Sequence, residues 1–199
     1  MKKIMFNDKY GLTQAVLKGR KTMTRRIIDV RVRMINTVTG ETLEGEVDFE
    51  NDRRLILECS KYKVGEEIAI AQSYRDIFKE ADKASYRDPR FKKFWDQDSL
   101  TTSPGWNNKM FVRADIVPYR IRITNIEVEH LQDISDEDIK KEGVNVMDFG
   151  YVPSTMFSNR NPRWLTPIEA FSTLIDKISG RGTWARNPLV YAYEFELIK

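Results

Sequence analysis

The run LVYAYEFELI, residues 189–198, constrains the fold more than any other stretch. Ten residues rich in aliphatic and aromatic side chains predict a strand long enough to cross the middle of a sheet. PYRIRITNIEVEHL, residues 118–131, restores strand alternation, with Ile121, Ile123, Ile126 and Val128 as its inward positions. Shorter strands are expected in KIMFN (3–7), in TMTRRIIDVRVRM (22–34), and from Ile68 to Ala71 after a turn at Gly65.

Three helices are signalled by periodicity and caps. In YGLTQAVLKG, Leu12, Ala15 and Val16 share one face, and Gly19 is a C-terminal stop. In DISDEDIKKEGV, Ser135 can cap with Asp138 at the third helical position. Ile134 and Ile139 are spaced for a hydrophobic staple, and Gly143 ends the helix. In LTPIEAFSTLIDKISG, Thr166 caps, Pro167 opens the helix, Glu169 completes a capping box, and Ile168, Phe171, Leu174, Ile175 and Ile178 form the buried stripe. Six or seven strands and about three helices, without regular βαβ alternation, give an α+β fold with a mixed or closed sheet. At 199 residues the size prior is one domain over 1–199.

Two segments resist this scheme. Turn signals at Thr39-Gly40 and Glu50–Asp52 mark a hairpin elaboration around 30–60. Residues 75–109 are polar and broken by Pro89, Pro104 and Gly105, which reads as a long loop insertion. Tyr74, Tyr86, Phe91, Phe94, Trp95 and Trp106 lie there among Arg87, Arg90, Lys92 and Lys93. Such rings either stack on unpaired bases or pack into a small core of their own, and the second is the commoner outcome.

Composition removes several chemistries. Cys59 and His130 are the only residues of their types, so there is no internal disulfide and no cysteine–histidine metal cluster. His130 reads as a strand-end residue. No metal or organic cofactor is indicated. No apolar run reaches the ~18 residues of a membrane span and the N-terminus lacks a signal-peptide core, so the expected location is the cytoplasm, away from membranes. The net charge of +3 is too small to announce a nucleic-acid binder, but its distribution is uneven. Residues 1–40 hold ten Lys and Arg against two Asp and Glu, whereas residues 41–80 hold six against eleven.

That positive charge centres on GRKTMTRR, residues 19–26. Cations near a helix C-terminus gain about 0.3–1 kcal/mol each from the dipole, which accounts for Lys18 and Arg20. Lys21, Arg25 and Arg26 lie beyond the helix and alternate with threonines, so a solvated face and an anion site both remain open. Glu142 is a second oddity: a carboxylate at a helix C-terminus opposes the dipole unless a cation from elsewhere meets it.

GRKTMTRRI after a short helix, VGEEIAIAQSY, ITNIEVEHLQDISDEDIKKEGV and PIEAFSTLIDKISGRGTWARNPLVYAYEFELI together resemble an ASCH-domain protein of the phage-associated type, in the PUA-like superfamily. The resemblance implies a PUA-like mixed β-barrel with helices at its rim and a basic cleft that takes RNA or a modified nucleobase. It also implies ligand contacts from Arg20, Arg25 and Arg26. A more distant branch hydrolyses acetylcytidine with a lysine, a threonine three residues later and a remote glutamate. The matching positions here are Lys21, Thr24 and Glu142. An amidohydrolase and a non-catalytic interaction module are therefore the alternatives to binding alone. Many phage-type relatives carry an Arg-Glu pair and a tryptophan where this chain has Ala71, Gln72, Ser73 and Tyr74. Gln72 and Tyr74 are the expected ligand contacts at that place.

In an ideal strand Lys21 and Thr24 point to opposite faces, so shared chemistry requires irregular backbone between them. Trp184 and Asn187 in GTWARNP read as packing and turn residues, or as cleft wall.

Overall fold

The computed structural model describes residues 1–28, 31–35, 42–46, 49–85, 87–147, 150–153 and 166–198. In chain order the elements are β1 (Lys3–Ile4), α1 (Leu12–Leu17), β2 (Met23–Ile27), β3 (Arg31–Ile35), β4 (Thr42–Glu46), α2 (Phe49–Glu58) and β5 (Glu67–Ile70). There follow α3 (Tyr74–Lys83), α4 (Lys92–Trp95), β6 (Arg120–His130), α5 (Asp136–Lys141), β7 (Val144–Met147), β8 (Gly150–Pro153), α6 (Pro167–Ser179), α7 (Thr183–Arg186) and β9 (Leu189–Ile198).

The central feature is a five-stranded mixed sheet in the order β1-β5-β6-β9-β2. Only β1 and β5 run parallel; the other neighbours are antiparallel. As its length requires, β9 is interior, pairing β6 on one side and β2 on the other. The pairing of β6 with β9 shifts register between Ile123 and Asn125. That irregularity explains an inconsistency in the strand's sequence: Ile121 and Ile123 are two apart, as are Ile126 and Val128, but the two sets differ in phase. One extra residue returns both sets to the same face.

Alternate residues of β5 serve different cores. Ile68 and Ile70 join the main cluster, with Phe6, Ile121, Ile123, Phe171, Leu174, Val190 and Phe195. Ala69 and Ala71 face a second cluster built from Tyr74, Ile77, Phe91, Phe94, Val112, Ile116 and Val117. The segment around 75–109, expected as a loop, is thus a cap of short helices over the back of β5. Ser73 caps α3 by accepting from the Asp76 amide, and further single turns of 3₁₀ helix follow α4. Gly105 is required there because a Cβ would lie 2.5 Å from Tyr74 Cε2. Tyr86 lies outside the described residues.

Three expectations change. The sheet's ladder is not closed: β1 and β2 are its ends, so the expected barrel closure is absent from the pairing among the described residues. A side-chain bond, from Arg26 Nη2 to Met5 O at 2.7 Å, crosses between them instead. Around residues 30–60 the hairpin of β3 and β4 is present, but Glu50–Asp52 belong to α2 rather than to a turn. Thr39-Gly40 lies outside the described residues. The helix count also exceeds three, because α2, α3, α4 and α7 are too polar or too short for periodicity to reveal. None of the helices among the described residues is long and apolar enough to cross a membrane.

The signalled caps form as expected. Ser135 Oγ accepts from the Asp138 amide at 3.1 Å, and both halves of the Thr166/Glu169 box are made. In α6, Phe171 and Leu174 are buried, whereas Ile168 is 44% exposed because it sits in the first turn, at the rim.

Candidate active site

Residues 19–22 leave α1 as a tight, irregular connection. Gly19 turns with φ of 70°, and the Arg20 and Lys21 amides both donate to Ala15 O. The Thr22 amide donates to Lys141 O at 2.9 Å, and Thr22 O accepts from the Phe195 amide at 2.8 Å, fastening the segment to α5 and β9. Regular strand begins only at Met23. Strand alternation therefore does not govern Lys21 relative to Thr24, and both line one cavity of about 510 Å³.

Lys21 is 2% exposed, an unusual state for a lysine. Its Nζ donates to Glu142 Oε2 at 2.5 Å and to Glu142 O at 2.8 Å, and stands 6.0 Å from the centre of the Phe6 ring. Glu142 is the C-cap residue of α5. The misfit with the helix dipole has its explanation here, since the carboxylate is turned inward onto two cations. Gly143 permits the turn: its φ is +94°, and a Cβ there would lie 3.4 Å from Lys21 Cβ.

Arg25 is buried in a second ion-paired array. Its Nε donates to Glu129 Oε1 at 2.6 Å, Nη1 to Glu142 Oε1 at 3.3 Å, and Nη2 to Asp138 Oδ2 at 3.4 Å. The guanidinium thus ties β2 to β6 and α5. The cap spacing that marks Asp138 does not reveal this second role, and no local pattern marks Glu129, which meets Arg25 because β2 and β6 flank the same strand.

The cavity lining carries Lys21, Arg25 and Arg26 with Glu142, and two of those cations are ion-paired. Lys21 and Arg25 are balanced by Glu142, Glu129 and Asp138. Burial pushes the Lys21 ammonium below its ordinary pKa. Glu142 opposes that shift, while Arg26 and Arg25 add to it. Burial raises the Glu129 carboxyl, against the pull of Arg25.

Thr24 is a buried residue that lines the cavity, and its hydroxyl makes no hydrogen bond to another described residue. The opposite wall is apolar, from Leu12, Phe171, Leu174, Ile175 and Ile178. Arg26 stands at the cavity's edge over the Phe6 ring, 5.8 Å from its centre.

Other expected contacts lie elsewhere. Arg20 is exposed and does not line the cavity. Gln72 faces a separate hollow with Asp8 and Thr13, and its Nε2 donates to Glu80 Oε1. Tyr74 is buried in the second cluster, where its hydroxyl accepts from the Arg113 amide. Gln72 and Tyr74 follow the end of β5, and neither lines the cavity. Phe91 and Phe94 are likewise buried, and Phe78 packs between Trp95 and Trp106. Trp184 stacks edge-on against Phe171, and Asn187 takes a left-handed turn; both are structural. His130 ends β6 with its ring against Asn187 O.

Comparison with protein-family models, with curated proteins and with solved structures gives no match to this chain.

Proposed function

We propose that the chain is an ASCH-like amidohydrolase that holds a modified nucleobase and removes an acyl group from its exocyclic amine. The reading rests on a single observation: a buried lysine with a lowered pKa, an unpartnered threonine hydroxyl and a buried glutamate face one cavity of small-molecule size. Two of the four cations in residues 19–26, Lys21 and Arg25, are spent on internal carboxylates. A small polar ligand therefore suits the cavity better than a long phosphate backbone does.

The chemistry balances without a metal. Thr24 Oγ bonds to the acyl carbon while its proton passes to neutral Lys21. The tetrahedral adduct collapses, the carbon–nitrogen bond breaks, and the departing amine takes a proton from the Lys21–Glu142 pair. Water, deprotonated by the same pair, then cleaves the acyl-threonine ester, releasing the free acid and restoring the hydroxyl.

Incubation with acetylcytidine, followed by chromatography for cytidine, tests the proposal. Turnover that disappears in Thr24→Val is expected. Absence of turnover, or turnover that survives in that variant, would remove the roles assigned and leave at most a binding pocket.

A further inference from the structure

A second cavity, of about 270 Å³, adjoins the first and shares Met5, Arg26 and Ile27 with it. The Arg26–Met5 bond lies between the two. Across the β2–β9 ladder Thr24 opposes Tyr193 and Arg26 opposes Tyr191, so these four side chains stand on one face. Arg25 opposes Ala192 and reaches Glu129 on the other.

The second cavity differs from the first in charge. Among the described residues, no carboxylate is part of its lining. Arg26 and Lys61 line it, and neither has a carboxylate partner among the described residues. Lys61 instead rests over the Tyr62 ring, 5.4 Å from its centre. Arg26 of the basic N-terminal segment thus stands here without a carboxylate partner among the described residues, unlike Lys21 and Arg25.

The wall behind it is rigid and aromatic. Tyr62 and Tyr193 meet edge to face at 5.3 Å, and Tyr191 and Tyr193 pack at 5.7 Å. Each hydroxyl is already engaged, Tyr62 with Lys3 O, Tyr191 with Ile56 O and Tyr193 with Ser60 Oγ. Burial raises the Tyr62 and Tyr191 phenols, so neither adds negative charge.

We propose that this cavity is a phosphate subsite, and that the ligand is a nucleotide whose base lies at Thr24 and whose phosphate is held by Arg26 and Lys61. The inference rests on the reading of the larger cavity as a nucleobase site. Two residues along β2, about 7 Å, separate Thr24 from Arg26, comparable with the reach from a base edge to the phosphate on its sugar. A nucleoside alone would leave the two cations unused.

Binding of cytidine, cytidine 3′,5′-bisphosphate and a short single-stranded oligoribonucleotide, measured calorimetrically on the full chain, tests this. The bisphosphate is expected to bind at least about tenfold tighter than cytidine, with a gain that shrinks as salt rises. In Lys61→Gln, an exposed position safe for folding, and in Arg26→Gln, that ratio should fall to within about threefold. Equal affinities in the wild-type protein, or a preference retained in both variants, would overturn the proposal. An oligonucleotide that binds tighter than the bisphosphate identifies an RNA strand as the source of the phosphate, and equal binding identifies a free nucleotide. Loss of deacetylation with the bisphosphate preference intact would remove the chemistry and keep this site; the converse would remove the site alone.

Discussion

Glu142→Gln isolates the buried pair at the centre of the site. The change keeps the side chain's shape and removes one charge. Arg25 retains Glu129 at 2.6 Å and Asp138 at 3.4 Å, so it is not orphaned. Lys21 loses the one carboxylate that pairs with it among the described residues and keeps the backbone bond to residue 142. Removing one partner of a buried pair costs about 3–5 kcal/mol, because the other charge is left unpaired away from water. For a chain of this size each kcal/mol moves Tm by about 2–4 °C, so a fall of about 6–20 °C is expected at neutral pH. The penalty belongs to the charged form of Lys21. It should therefore shrink as pH rises and the ammonium is lost, whereas a packing defect would not respond to pH. Thermal melts of both proteins between neutral pH and pH 10 decide the matter. A Tm shift below about 2 °C, or a difference that stays constant with pH, would refute the reasoning. Replacing both partners, as Lys21→Met with Glu142→Leu, should recover much of the lost stability while abolishing any turnover.

Because Lys21's pKa lies below 10.5 in the folded chain, the unfolded chain binds more protons between those two values. This group therefore makes stability rise with pH in that window, and the rise should be missing from Lys21→Met when urea unfolding is compared across pH. Turnover should also increase with pH as Lys21 loses its proton, and the midpoint should move lower in Glu142→Gln, since Glu142 supports the charged form. Gly143→Ala forces a side chain onto a φ of +94° against Lys21, with an expected cost of about 1–3 kcal/mol in unfolding experiments and a loss of activity. Gly105→Ala should cost about 1–3 kcal/mol through the clash with Tyr74 yet leave kcat/KM unaltered, because it strains only the second cluster.

What the sequence made legible follows from the range of the forces involved. Ser135, Thr166 and Glu169 act within one turn, so the caps of α5 and α6 could be read directly from spacing. The strands of the central sheet carry their own hydrophobic patterns and were equally plain. The polar helices α2 and α3 were not, because their helicity depends on surfaces that other segments supply; the role of residues 75–109 as a cover for β5 is a tertiary fact. At the site, Glu142 was detectable as an electrostatic misfit, and the meeting with Lys21 explains it. The charge balance was not detectable. Ten cations in the first forty residues suggested a basic hollow, but Glu129 and Asp138 lie more than a hundred positions from Arg25, and composition cannot register a pairing across that separation.

The most direct test of the central claim, that Lys21, Thr24 and Glu142 act together on an acylated amine, is the kcat/KM for acetylcytidine of the wild-type chain against Thr24→Val. Circular dichroism and thermal melts would first establish that the two fold alike. The account predicts that the variant falls to the uncatalysed background, and that Lys21→Met loses at least about a hundredfold. Equal rates in wild type and Thr24→Val, or no turnover by either, would contradict it.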